Sequence, residues 1–163
     1  MNTASLTKHD NGAALDGIDR KLLSLLQDNA KLSQAELAKA VGLTAPSVNE
    51  RLRKLERGGI IRGYVALLDE RKLGHDITAF VEIFIEHPKF ESSFIEAVGD
   101  MDEVLECHHI TGEFSLLLKV KVTDMAAFRR LLIEKLNAIR GVRQTRTVMV
   151  LSTSKEQHRI KVD

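Results

Sequence analysis

The chain of 163 residues has one cysteine, few aromatic residues and no long apolar run. Because Cys107 has no second cysteine to pair with, an intramolecular disulfide is excluded and a reducing compartment is indicated. The apolar runs are too short for a membrane-spanning helix, and the first residues lack the apolar segment of a signal peptide. We therefore expect a cytoplasmic protein in which residues 1–14 form a flexible tail.

A strong net charge is also missing, because 24 basic and 23 acidic residues leave a formal charge of +1. The charges are unevenly distributed, however. Residues 1–74 contain 12 basic and 9 acidic residues, whereas residues 75–163 contain 12 and 14. This asymmetry predicts a basic binding module followed by a module with another role. Hydrophobic residues make up 44% of the chain but aromatic residues only 4%, so an aliphatic core is expected.

One stretch in the first half predicts two short helices joined by a tight turn. Ser33 and Glu36 have the spacing of a capping box at the start of the first helix, and Gly42 suits the left-handed turn that ends it. Thr44 is the predicted N-cap of the second helix, and Pro46 lies in its first turn, where a missing N–H does no harm. These signals predict a helix-turn-helix.

The second of these helices has one apolar stripe, formed by Val48, Leu52 and Leu55, and a polar surface rich in Arg and Lys. Such a surface can enter the major groove of DNA, where Arg and Asn contact base edges and Ser, Thr and Lys mainly contact phosphates. A solvated amphipathic helix in an ordinary bundle is the alternative, but the lopsided charge and the capped spacing favour DNA binding. The predicted DNA-contacting residues are Ser33, Gln34, Thr44, Ala45, Pro46, Ser47, Asn49, Glu50, Arg51, Arg53, Lys54 and Arg57.

A helix capped by Asp16 is predicted before this pair, which gives a three-helix domain over residues 15–63. Beyond it, residues 60–68 are apolar and β-branched enough to predict a strand or wing. We assign residues 64–77 to a strand and linker that lead to the second module.

The second module, residues 78–163, has the pattern of strands and helices in the order β-α-β-β-α-β. The predicted strands span residues 78–86, 104–111, 115–122 and 142–151. A helix begins at Pro88, and a long one begins after Asp124 with Met125, Phe128, Leu132, Leu136 and Ile139 on one stripe. The predicted fold class is α+β, with a winged helix-turn-helix followed by a ferredoxin-like domain. One sheet face retains Phe80, Phe84 and Leu117, which favours a partner subunit that covers it.

Nearly the whole ordered chain, from Leu15 to about Leu151, resembles the Lrp/AsnC family of transcriptional regulators. The matching residues are Leu15, Asp16, Asp19, Ser33 to Ala38, Val41 to Leu43, Arg51, Leu55, Glu56, Gly59, Ile61, Gly63, Tyr64, Glu106 to His108, Thr111, Gly112, Leu117 to Lys119, Gly141, Val142 and Thr145 to Thr147. The resemblance implies homodimers that assemble into larger rings, such as an octamer, with amino acids bound between dimers. It implies no cofactor, since the amino acid is an effector. The effector-binding residues it implies are His108, Thr111, Gly112, Glu113, Phe114, Ser115, Leu116, Thr145 and Thr147.

One departure from the family pattern concerns the effector. The family commonly has Gly-x-x-Asp-Tyr after the second strand of the sensing domain, and here Ser115 and Leu116 occupy the Asp and Tyr positions. Ser115 cannot supply a negative charge for the ammonium group of an amino acid, although Glu113 in the turn is a possible substitute. The departure leaves three alternatives: leucine, another amino acid, or a blunted response.

Other sites and functions are less well supported. Glu106, Cys107, His108 and His109 form a cluster of potential metal ligands, but adjacent strand residues point to opposite faces, so we expect no metal site. Arg146 could bind an effector carboxylate, although a cross-strand ion pair is the simpler interpretation. No catalytic motif is present, and we expect no enzyme activity.

Two rival functions depend on the second module. RNA-recognition domains share the βαββαβ order, but they stack bases on aromatic residues of their central strands, and residues 115–122 contain none. A small ferredoxin-like enzyme fused to a DNA-binding domain would require a convergent polar cluster, which the sequence does not indicate. A transcriptional regulator remains the favoured prediction.

Overall fold

The computed structural model describes residues 15–163, so the predicted N-terminal tail lies outside the described residues. The chain divides into two compact units. Of the described residues, the helical unit contains those up to Ala66 together with Glu156–Asp163, and the sheet unit contains Leu67–Lys155. This division differs from the predicted domains, because the end of the chain was assigned by sequence to the second module.

Three helices form the described part of the helical unit, and they begin where the capping residues predict them. Asp16, Ser33 and Thr44 each accept hydrogen bonds from backbone N–H groups in the first turn of the helix that follows. Between the second and third helices, Gly42 has φ 71°, a left-handed conformation that suits glycine. The helices are α1 (Gly17–Asp28), α2 (Gln34–Val41) and α3 (Ala45–Arg57).

The core of the helical unit consists of one face of each helix. The α3 stripe predicted from the sequence is confirmed, because all three of its members are buried. Asp19 is the one polar residue that is buried among those described in residues 15–163. The buried apolar residues are Leu22, Leu23, Leu37, Ala38, Val48, Leu52 and Leu55.

Residues 60–68 contain no strand, so a strand, one of the two alternatives predicted there, is wrong for the single chain. The N–H groups of Ile60 and Ile61 both donate to the carbonyl oxygen of Leu55, at 3.0 and 3.2 Å, and thus complete the end of α3. A strand requires a hydrogen-bonded neighbour, and the following residues have none to pair with. Val65 is 81% exposed as a result.

An antiparallel four-stranded sheet in the order β2-β3-β1-β4 forms the centre of the sheet unit. This order confirms the predicted ferredoxin-like arrangement. The strands are β1 (Ile77–Ile85), β2 (Val104–His109), β3 (Leu116–Val122) and β4 (Val142–Met149), and the helices are a 3-10 turn (Pro88–Phe90), α4 (Glu91–Gly99) and α5 (Met125–Arg130).

The two faces of the sheet differ in burial. The alternating residues Ala79, Val81 and Ile83 of β1 are fully buried and belong to the same apolar cluster as Phe94 of α4 and Phe128 of α5. On the other face, Phe80, Phe84 and Leu117 are only partly buried. We call this second surface the open face.

The long helix predicted after Asp124 is a short α-helix that continues as a π-helix over Leu131–Leu136. The N–H of Asn137 donates to the carbonyl oxygen of Leu132 at 3.0 Å, the i to i+5 bond of this wider turn. Residues five apart then share a face, so Leu131 and Leu136 are both buried, whereas Met125 is 56% exposed. The predicted stripe, which assumed a 3.6-residue period, is therefore wrong in part.

Candidate functional site

The solvent-facing surface of α3 is formed by residues of its first turn and by cations further along the helix. Pro46, Ser47, Glu50, Arg53, Lys54 and Arg57 are exposed, and Ala45 and Asn49 are partly buried. Because Val48, Leu52 and Leu55 face the core, the helix presents its polar side outward. Most of the predicted DNA-contacting residues therefore lie together on one accessible surface.

Arg51 differs from its neighbours because it is held between α3 and α1. Its Nη1 donates to Asp16 Oδ2 at 2.7 Å and to Asp19 Oδ1 at 2.8 Å. The hydrogen bonds to Asp19 and Asp16 raise the pKa of Arg51. The pKa of Asp16 is lowered, first by the backbone N–H of Asp19 and then by the Arg51 guanidinium. This engagement favours a role in fixing α3 on α1.

Two further contacts organise the candidate DNA-binding surface. Gln34 Nε2, at the start of α2, donates to Asn49 Oδ1 in α3 at 3.1 Å, which links the two helices of the motif. Along α3, Arg57 Nη2 donates to Glu50 Oε1 at 3.2 Å, and both side chains are well exposed. A solvent-exposed pair of this kind contributes little to stability and can exchange its partner for a phosphate.

The hydroxyls at the helix starts already have partners. Ser33 Oγ donates to Glu36 Oε2 at 2.7 Å, and the two hydrogen bonds from Ser33 lower the pKa of Glu36. Thr44 Oγ1 and Ser47 Oγ are 2.9 Å apart. These contacts hold the first turns of α2 and α3 in place beside the exposed surface.

The predicted effector-binding residues do not form one cluster within the sheet unit. His108 pairs in register with Leu117, whose side chain lies on the open face. Thr145 and Thr147 pair with Ile83 and Val81, which are buried on the helix side. Since β2 and β4 are the two edges of the sheet, these residues lie on opposite edges and opposite faces. One chain alone does not bring them together.

The hairpin between β2 and β3 contains the other predicted effector-binding residues. Thr111, Gly112 and Glu113 are exposed at its tip. Phe114 is 5% exposed and Leu116 is fully buried, so neither is available to a ligand in this conformation. The backbone of Ser115 is paired on both sides, since its N–H donates to Ile83 O and its carbonyl accepts from Ile110 N–H, each at 3.0 Å.

Arg146 forms the cross-strand ion pair that the sequence indicated. It pairs in register with Glu82, donates from Nη2 to Glu82 Oε1 at 2.7 Å and forms a second hydrogen bond from Nε to the other oxygen. Its guanidinium also lies 4.8 Å from the ring centre of Phe114, which packs edge-on against Phe84. The hydrogen bond to Arg146 lowers the pKa of Glu82. Sequence reasoning missed the Phe114 contact, because nothing local relates these two residues.

The cluster on β2 is a chain of hydrogen bonds. Glu106 Oε2 lies 3.0 Å from His108 Nε2, and Glu106 Oε1 accepts from Lys119 Nζ at 3.3 Å. The pKa of Glu106 is lowered, first by His108 and then by Lys119. His109 lies on the other face, where its Nδ1 is 3.1 Å from Glu91 Oε1. In residues 15–163, no group of three or more His, Cys, Asp or Glu could hold a metal ion.

Family models match both units of the chain. Residues 15–62 match a winged helix-turn-helix DNA-binding domain, and residues 78–160 match the Lrp/AsnC ligand-binding domain. The leucine-responsive regulatory proteins of Escherichia coli K12 and Klebsiella pneumoniae are each 42% identical over 153 residues, which is 93% of both chains. The chain belongs to the Lrp/AsnC family. It is thus a transcriptional regulator with a DNA-binding helix-turn-helix and a ligand-binding domain.

Solved structures of Lrp/AsnC regulators have the same fold. AsnC of E. coli superposes with a TM-score of 0.85 at 31% identity, covering 91% of this chain and 99% of that one. A transcriptional regulator of Neisseria meningitidis, solved as a complex with L-Met, gives a TM-score of 0.84 at 34% identity and covers 89% and 95%. Within residues 15–163, the Lrp/AsnC regulator has no helix long and apolar enough to cross a membrane.

Proposed function

We propose that this regulator binds operator DNA as a homodimer through α3, and that an amino acid bound by the sheet unit changes this binding. The two recognition helices of a dimer would enter major grooves about 34 Å apart on a roughly palindromic site. The amino acid is a dissociable effector, so the proposal includes no cofactor and no catalytic step.

The exposed polar surface of α3 is the observation that supports DNA binding most directly. Arg53, Lys54 and Arg57 are exposed in the second half of α3, whose first half contains Ser47 and Asn49. Arg and Asn can form bidentate contacts with guanine and adenine, and Lys neutralises phosphate. The contacts between Gln34 and Asn49 and between Arg51 and Asp19 fix the orientation of this helix.

The test selects duplexes from a random-sequence pool with the purified protein and measures affinity for the selected and a scrambled duplex at several salt concentrations. We expect tighter binding of the selected duplex by at least about a thousandfold at physiological salt. The logarithm of affinity should fall linearly with the logarithm of salt concentration. Equal affinity for both duplexes would refute sequence-specific binding.

An amino acid as effector is supported by the ligand-binding domain and by the L-Met complex of the Neisseria relative. In this chain the hairpin offers Glu113 as an exposed carboxylate. The pKa of Arg146 is raised chiefly by its hydrogen bond to Glu82, and the charge of Glu113 adds to this effect. We propose that Glu113 meets the ammonium group of the amino acid, because Ser115 has no charge.

A thermal unfolding screen with each of the twenty amino acids tests the effector. A ligand that binds only the folded protein stabilises it by about 2.7 kcal/mol at a hundred times its dissociation constant. We expect Glu113→Gln to weaken binding of the stabilising amino acid, whereas Glu134→Gln, which changes an exposed carboxylate on the π-helix, should not. No stabilisation by any amino acid, or equal affinity of the Glu113→Gln variant, would contradict the proposal.

A second copy of the chain is proposed because the single chain leaves apolar surface exposed. Val148 on the open face is 53% exposed, and Leu67 and Leu68 are 70% and 66% exposed in the segment after α3. We infer that a dimer covers these residues, and that dimers form larger assemblies such as an octamer. Light scattering on the eluting protein tests this, and a single-chain mass at micromolar concentration would refute it.

A further inference from the structure

The end of the chain returns to α1 of the helical unit and pairs with one glutamine through two hydrogen bonds. Gln27 Nε2 donates to the carbonyl oxygen of Ile160 at 3.1 Å, and the N–H of Ile160 donates to Gln27 Oε1 at 2.8 Å. The side-chain amide thus satisfies both backbone groups of a single residue 133 positions away. This reciprocal pair fixes the direction and register of the segment on the helix.

Contacts on either side of Ile160 extend the attachment. Arg159 pairs with Asp28 through its Nη1, and its Nη2 donates to Ser24 Oγ at 3.0 Å. Val162 is partly buried against the apolar cluster of the helical unit. Side-chain, backbone and apolar contacts therefore follow one another over residues 159–162. We call residues 156–163 the C-terminal strap.

We propose that the C-terminal strap is a docking element that holds the DNA-binding helices at a second point and restrains their movement. The chain leaves the helical unit after Ala66 and enters it again at Glu156. Between β4 and the strap only residues 150–155 intervene. Two covalent connections, one at each end of the sheet unit, allow fewer orientations of the DNA-binding helices than one connection.

The functional consequence concerns DNA with two half-sites. A dimer that engages both half-sites gains from the effective concentration of its second DNA-binding unit, which depends on how far that unit can move. The docked strap raises this effective concentration by removing unproductive orientations. This part of the inference rests on the proposed dimeric DNA binding, whereas docking itself does not.

Docking is tested first by hydrogen exchange of the Ile160 amide in the full chain. We expect Gln27→Ala to speed its exchange by about tenfold or more, since it removes the acceptor. Asp28→Arg and Arg159→Asp should each speed exchange, and the double variant should restore slow exchange because the ion pair is rebuilt in reverse. Gln157→Ala, which changes an exposed side chain of the same segment, is the matched control. Fast exchange in the unmodified chain, or no restoration in the double variant, would overturn docking.

The restraint is tested with a variant that ends at Lys155. We expect it to bind a duplex with two half-sites about fivefold or more weakly than the full chain, and to bind a duplex with one half-site equally well. Equal losses on both duplexes, or a loss on neither, would overturn the restraint. If the full chain binds no duplex specifically, the proposed function fails, and the exchange experiment still decides whether the strap docks.

Discussion

The guanidinium of Arg51 in α3 donates to the carboxylate of Asp19 in α1 across 2.8 Å. The side chain of Asp19 is only 12% exposed, so this ion pair lies at the junction of the two helices. Asp16, the N-cap of α1, accepts from the same guanidinium nitrogen at 2.7 Å. Arg51 therefore links α3 to the N-terminal turn of α1.

Loss of the contacts of Arg51 with Asp16 and Asp19 should reduce the stability of the helical unit. We expect Arg51→Ala to lower the melting temperature of the helical unit by a few degrees, because it leaves the partly buried Asp19 carboxylate without its cation. Affinity for selected and scrambled duplexes should then fall by similar factors. Calorimetry and DNA titration of the same sample measure both effects. Unchanged melting together with a loss confined to the selected duplex would instead place Arg51 on a base edge.

A neighbouring arginine should behave in the opposite way. Arg53 is exposed on α3, so we expect Arg53→Ala to leave the melting temperature unchanged and to weaken DNA binding. If Arg53 contacts a phosphate, a plot of log affinity against log salt concentration should have a shallower slope in the variant, by about 0.9. Lys31→Ala changes an exposed cation before α2 and is the control. Full DNA affinity in the Arg53→Ala variant would contradict this assignment.

Acid should weaken the helical unit through the N-cap of α1. The pKa of Asp16 is lower in the folded protein than in the unfolded chain, so its stabilisation is complete above the unfolded pKa, about 4. It is lost as the pH falls through the folded pKa. Asp16→Asn retains a capping oxygen but does not titrate, so its melting temperature should fall less between about pH 5 and pH 3. Parallel pH profiles for both proteins would rule out this contribution.

In the sheet unit, Gly141 is a position where a side chain should reduce stability. Its φ is 94°, and a Cβ built there would overlap Cβ of Phe90. We expect Gly141→Ala to reduce the free energy of unfolding by more than about 2 kcal/mol, because backbone strain and overlap act together. Gly99→Ala adds a methyl group in open space and should change it by less than about 0.5 kcal/mol. Chemical denaturation compares the two, and similar small losses would show that Phe90 moves aside.

Sequence reasoning located the parts of the fold that depend on neighbours in the chain. The N-caps Asp16, Ser33 and Thr44 were predictable, because a capping side chain and the N–H groups it accepts are at most three residues apart. The strand alternation in β1 and β3 was predictable for the same reason, since a two-residue period is visible within one strand.

Features that depend on distant residues were not predictable. The pairing of Gln27 with Ile160 has no local signal, and neither does the stacking of Arg146 on Phe114. Residues 60–68 have the composition of a strand but no partner in the chain, so composition alone misled the prediction. Arg51 is a similar case, because its charge suits DNA and its partner Asp19 lies 32 residues earlier.

Because the C-terminal strap docks on α1, the helical unit is a discontinuous domain. An exchange of DNA-binding specificity between relatives by recombination at residue 66 alone would place the strap of one protein on the first helix of another. Ser24 and Asp28 would then have to match residue 159 from a different lineage, since both contact the Arg159 side chain. Domain shuffling in this protein consequently involves two breakpoints, one after Ala66 and one before Glu156.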